Sequence, residues 1–118
     1  MLTFIQALAR QEGAYAKGST PTLPERRDNP GDIEDGEFAQ THGALPSDGN
    51  RFAAFPTMDA GFAADRVLLD DDYIGLTILQ AIHKYAPAIE NADDIYVRNV
   101  CTWTGLTPAT VLTKELIG

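Results

Sequence analysis

Apolar positions at Phe4, Ile5, Leu8 and Ala9 recur at the interval of one helix face, and Thr3 with Gln6 has the spacing of a capping box. The pattern predicts a first helix over about residues 4–12, stopped by Gly13, a residue that enters the left-handed conformation closing many helices. A second helix is predicted over about 57–72, with Phe62, Arg66 and Leu69 one turn apart, Ala63 and Val67 alongside, and the acidic run Asp70–Asp72 as its solvated end. Thr77 and Gln80 repeat the capping-box spacing and open a third helix through about Ala86, with Ile78, Leu79, Ile82 and Tyr85 on its apolar side and Pro87 beyond. Asn91 is the expected N-cap of a fourth helix, striped by Ile95, Val97, Val100 and Trp103 and stopped by Gly105. Thr107 followed by Pro108 opens a short last helix over 108–116.

Between Ala14 and Pro56 the periodicity disappears and turn signals take over, among them Asn29-Pro30-Gly31, Asp35-Gly36 and Asp48-Gly49. Gly36–Ala39 and Arg51–Phe55 are expected to pair as a small hairpin. So long a loop region in a small chain is usually a binding surface when it is ordered, and its aromatics and glycines favour order. The expected architecture is mainly α: one domain over residues 1–118, about five helices, and a loop-rich lobe with minor β content.

Charge narrows the functions open to the chain. A net charge of −8 with only nine Lys and Arg residues leaves no basic patch for counterion release, so a nucleic-acid partner is not expected. No segment reaches the roughly 18–20 apolar residues of a membrane span, and the N-terminus lacks a basic region followed by a long apolar run. The expectation is synthesis in the cytoplasm without a signal peptide and no membrane insertion. Cys101 has no partner for an internal disulfide and reads as a small buried hydrophobe, and His42 and His83 lack metal-ligand spacing. Neither metal nor cofactor is expected, and nothing points beyond a monomer.

Glu12 is the first candidate for chemistry. It falls at the C-terminal end of the first helix, where the helix dipole disfavours a carboxylate and so favours the protonated acid. Gln11-Glu12-Gly13, at the end of an amphipathic helix and before a loop-rich lobe, resembles the start of phage-type lysozymes. Arg27-Asp28-Asn29-Pro30-Gly31-Asp32-Ile33 is similar to the Asn-Asn-Pro-Gly-Asn-Ile segment of small phage and prophage proteins of the lysozyme-like superfamily. The stretch from Phe52 through Phe55 and Gly61 to Ala64 resembles the pattern that follows that turn, and Lys84-Tyr85-Ala86-Pro87, Glu90-Asn91 and Tyr96-Val97 resemble the cleft-lining segment of lytic transglycosylases. The four elements occur in the family's order.

The resemblance implies a lysozyme-like fold that cleaves peptidoglycan glycan strands at the β-1,4 bond between N-acetylmuramic acid and N-acetylglucosamine. Glu12 would be the general acid, as a muramidase or as a lytic transglycosylase. It implies delivery to the cell wall by a phage particle or lysis machinery, with other virion proteins as further partners. Asn29, Ile33, Phe52, Tyr85, Glu90, Asn91 and Tyr96 are the implied substrate contacts. Two departures stand out: Gly13 replaces the serine that follows the acid in lytic transglycosylases, and Asp28 and Asp32 replace motif asparagines. Asp32 thereby becomes a second candidate for catalysis, with Glu34 and Glu37 also in the same lobe. A non-catalytic virion or wall-binding module of the same fold, and a helical interaction domain unrelated to cell wall, are the competing readings.

Overall fold

The computed structural model of the protein describes residues 1–118 and contains seven helices: α1 (Phe4–Gln11), α2 (Leu23–Arg27), α3 (Glu37–Thr41), α4 (Met58–Asp72), α5 (Ile78–Tyr85), α6 (Ile95–Thr104) and α7 (Lys114–Ile117). Their contacts fall into two compact units, residues 1–11 with 68–118, and residues 12–67. No helix is long and apolar enough to cross a membrane.

In the unit formed by the two ends of the chain, α1 packs on α6. The capping box expected at its start is present: the Thr3 N–H donates to Gln6 Oε1 at 3.0 Å and the Gln6 N–H to Thr3 Oγ1 at 3.4 Å. Leu2 N–H donates to the Trp103 carbonyl, Asn99 Nδ2 to Gln11 Oε1, and the Arg10 guanidinium lies 4.3 Å from the centre of the Trp103 ring. Phe4, Leu8, Ile78, Ile82, Val97, Val100, Leu112 and Ile117 are fully buried. Each large apolar side chain so placed contributes about 1.5–3 kcal/mol relative to exposure. The Thr77–Gln80 capping box of α5 also forms as expected.

Two boundaries in this unit differ from expectation. Asp94, not Asn91, caps α6, its Oδ1 accepting the Tyr96 N–H at 2.9 Å; Asn91 instead accepts the Asp93 N–H and closes a turn ahead of the helix. Residues 108–112 do not form a helix, because their carbonyls are taken by other backbone: Leu79 N–H donates to Pro108, Ile78 N–H to Thr110 and Gly75 N–H to Leu112. The last helix is therefore only Lys114–Ile117, capped by Thr113.

In the unit of residues 12–67 the expected loop lobe holds two short helices that raise the count from five to seven. The start of α2 carries a full capping box between Thr22 and Glu25, with a proline in the first turn. Gly36–Ala39 does not pair as a strand, since Gly36 is the N-cap of α3. Arg51–Ala53 pairs with Ile33–Asp35 instead: Ala53 N–H donates to Ile33 O at 3.0 Å and Asp35 N–H to Arg51 O at 2.8 Å, around the Glu34–Phe52 bridge. Ile33, Ala39, Ala53, Phe55 and Ala64 form the core here, with Phe38, Ala44 and Ala60 against it. The buried face of α4 is Gly61, Ala64, Asp65 and Leu69, with Ala63 and Arg66 exposed, a rotation of the expected stripe. Gly61 causes it: a side chain there would overlap the Asp28 carbonyl and the Pro30 ring, so only glycine lets the helix meet the turn.

Candidate active site

The site is built on the turn from Asp28 to Ile33. Asp28 ends α2 in the left-handed conformation, φ 50° and ψ 41°, its N–H on the Pro24 carbonyl. Aspartate enters this region more readily than most residues because its short polar side chain bonds locally. Arg27 ties the base of the turn down, pairing with both Asp48 oxygens at 2.8 and 2.9 Å and donating to the Phe52 carbonyl at 3.0 Å. The Phe55 N–H donates back to the Arg27 carbonyl.

Asn29 locks the turn from inside. Its Nδ2 donates to the carbonyls of Ile33 and Ala53 and its Oδ1 accepts the Ile33 N–H, each at 2.9 Å. The side chain is wholly buried, and Ile33 is in the core at 7% exposure. The expected substrate contacts at Asn29 and Ile33 are thus corrected: the first is consumed by backbone and the second by packing. Phe52 is half-buried beneath the Arg51 guanidinium, and Arg51 also pairs with exposed Glu34. Glu37 is exposed in the first turn of α3.

Glu12 is half-buried and is the first residue past α1, followed by Gly13 at φ 98°. The Gly13 carbonyl accepts from Thr22 Oγ1 at 2.8 Å, so the N-cap of α2 fixes the chain just beyond the acid. Asp32, with φ 48°, lies beside Glu12, its Oδ1 buried without a hydrogen-bond partner. Burial pushes Asp32 up to about 8 from an ordinary 3.8, helped by the Glu12 carboxyl and its negative charge and by the charge of Asp65. So raised, Asp32 keeps its proton through neutral pH.

Asp65, from the buried face of α4, is the third carboxyl. It has no exposed surface, neither oxygen has a hydrogen-bond partner, and burial raises it to about 7 from 3.8. Gly31 lies directly on it: a Cβ there would stand 2.6 Å from both Asp65 Cγ and Oδ1. The sequence reading missed Asp65. The available signal was its position on the face defined by Gly61, Ala64 and Leu69, where a carboxylate is out of place. These carboxyls are not arranged to hold a metal ion.

The remaining expected contacts lie in the other unit. Tyr85 is half-buried, edge-on to Tyr73 with ring centres 6.2 Å apart, and Tyr96 is buried at 7% exposure. Glu90 is exposed and borders, with Leu79, Gln80 and His83, a cavity of about 340 Å³. Asn91 is exposed, its Oδ1 engaged in the turn before α6. No family model matches the chain, and no characterised protein or solved structure matches it. Chemically, Asp32 can release a proton near neutral pH and take one back, the two halves of acid–base catalysis, with the Glu12 carboxyl beside it.

Proposed function

We propose that the protein is a lysozyme-like domain that cleaves peptidoglycan glycan strands between N-acetylmuramic acid and N-acetylglucosamine, with Glu12 as the general acid. The observation that carries this reading is the placement of Glu12 beside Asp32, a carboxyl that burial keeps protonated, at the position where the resemblance calls for an acid. Breaking a glycosidic bond requires a proton on the leaving oxygen as positive charge builds on the sugar, and so a carboxyl still protonated near neutral pH. Asp32, held protonated by burial beside Glu12, supplies such a proton.

The same placement favours one of the two product routes. Hydrolases that use two independent carboxyls place them on opposite sides of the scissile bond, about 5–9.5 Å apart. Glu12 and Asp32 lie side by side and act as one acid. In the favoured route the muramic acid's C6 hydroxyl attacks its own anomeric carbon. The bond from that carbon to the leaving oxygen breaks, the leaving oxygen takes the proton of the pair, and the pair recovers a proton from the attacking hydroxyl. The product is a 1,6-anhydro sugar.

A second reading, a non-catalytic wall-binding or virion module, draws support from the net charge of −8, which repels anionic wall polymers. Dye-labelled peptidoglycan separates the two. Cleavage predicts soluble dye from the wild type and about a hundredfold less from Glu12→Gln, the lower range of general acid loss. Sedimentation of the protein with the wall, without dye release, supports the module.

A further inference from the structure

A buried carboxyl with no hydrogen-bond partner destabilises a fold, and an apolar side chain of similar size would avoid that cost. Asp65 is such a group: it is fully buried, neither oxygen is partnered, and it forms no ion pair. It therefore does nothing for the fold that leucine could not do. Its place in the fold is specific, however. Gly31 rests on its carboxyl with no room for a Cβ, and the next residue along the turn is Asp32. The absence of a side chain at Gly31 brings the two carboxyls close enough for the charge of Asp65 to act on Asp32.

We infer that Asp65 is a positioning residue for the Glu12–Asp32 pair, a buried carboxyl on which Gly31 rests and which sets its negative charge behind Asp32. The inference rests on the proposed reading in one respect only, that the pair is the acid of a glycan-cleaving reaction. The groups that act on Asp32 are Glu12, from the end of α1, and Asp65, from α4; no cation is among them. The Arg27 guanidinium is taken by Asp48 and the Phe52 carbonyl, and Arg66 on α4 is exposed. Negative charge behind Asp32 thus opposes its ionisation with nothing to offset it. Asp65 need touch neither the sugar nor the leaving oxygen for this effect.

The test is a carbon-13 NMR titration of side-chain carboxyls in the full chain, wild type and Asp65→Asn, alongside the pH–rate profile on peptidoglycan. Asparagine keeps the shape and removes the charge. The expected result is a fall of about one unit in the Asp32 midpoint. The basic limb of the rate profile should move down by the same amount, with KM unchanged. An unchanged Asp32 midpoint in a folded variant overturns the inference. If the variant does not fold, the wild-type Asp65 signal decides: a midpoint far above the ordinary aspartate range supports the inference, and an ordinary one overturns it. A shifted Asp32 midpoint in a protein that never cleaves peptidoglycan upholds the role of Asp65 toward the pair and refutes the proposed reaction, so the two failures are distinct.

Discussion

Replacing Asn29 with alanine should be among the most destabilising single changes in the chain. The side chain makes three hydrogen bonds of 2.9 Å with no exposed surface. A typical net contribution is about 1 kcal/mol per bond, and a buried group left without a partner adds about 1–3 kcal/mol. The Ile33 carbonyl keeps a partner in the Ala53 N–H, so the uncompensated loss falls on the Ile33 N–H and the Ala53 carbonyl. With about 1 kcal/mol for the bond whose carbonyl keeps a partner and about 1–3 kcal/mol for each of the two stranded groups, the sum is about 3–7 kcal/mol, a large part of the roughly 5–15 kcal/mol that holds a domain together. Urea unfolding followed by circular dichroism measures it as a lower midpoint at unchanged slope. Asn29→Asp should be as damaging at neutral pH, since it keeps the acceptor for Ile33 but turns an acceptor toward two carbonyls. If Asn29→Ala costs under about 1 kcal/mol, Asn29 does not lock the turn, and its proposed role as a ligand contact returns.

Asp65→Asn should also change how stability depends on pH. Because the folded-state value of Asp65, about 7, lies above the ordinary 3.8, its contribution is most favourable below pH 4 and is lost as pH rises toward 7. At about 1.4 kcal/mol per unit the difference is at most about 4 kcal/mol, so the variant should gain on the wild type by up to that amount between pH 4 and 7 in urea titrations. A constant difference between the two curves would contradict the burial of an ionisable Asp65. Gly61→Ala should cost about 1–3 kcal/mol by the same assay, because its methyl group meets backbone at Asp28 and the Pro30 ring; an alanine as stable as glycine would mean the helix does not rest on the turn. Thr77→Ala, which removes one half of the α5 capping box, should cost about 1 kcal/mol, seen as a lower melting temperature, and no change would show that the cap is idle.

Much of the helical framework was legible because its signals are local. The capping boxes at Thr3–Gln6 and Thr77–Gln80 and the stop at Gly105 are written within a few residues, and each is formed. The capping box at Thr22–Glu25 was equally local but was passed over among the prolines around it. The pairing of Ile33–Asp35 with Arg51–Ala53 was not legible in this way, because alternation over so few residues does not fix a partner. Nor was the fate of residues 108–112, whose carbonyls are claimed by Gly75 and the first two residues of α5. At the site, Glu12 and Asp32 were both named from the sequence and lie beside one another. Asn29 and Ile33 were read as ligand contacts because a motif marks a position without saying which way its side chain faces. Asp65 was missed because the face of α4 is set by Gly61 against a turn some thirty residues earlier.

The most direct test of the central claim is the mass of the fragments released from purified peptidoglycan by the wild type and by Glu12→Gln. Muropeptides ending in anhydro-muramic acid, lighter by one water than hydrolysed ones, are expected from the wild type, and at most a trace from the variant. Fragments heavier by that water would retain Glu12 as the acid and contradict the single-pair route. No fragments from a folded wild-type protein would contradict the claim that this carboxyl pair cleaves glycan.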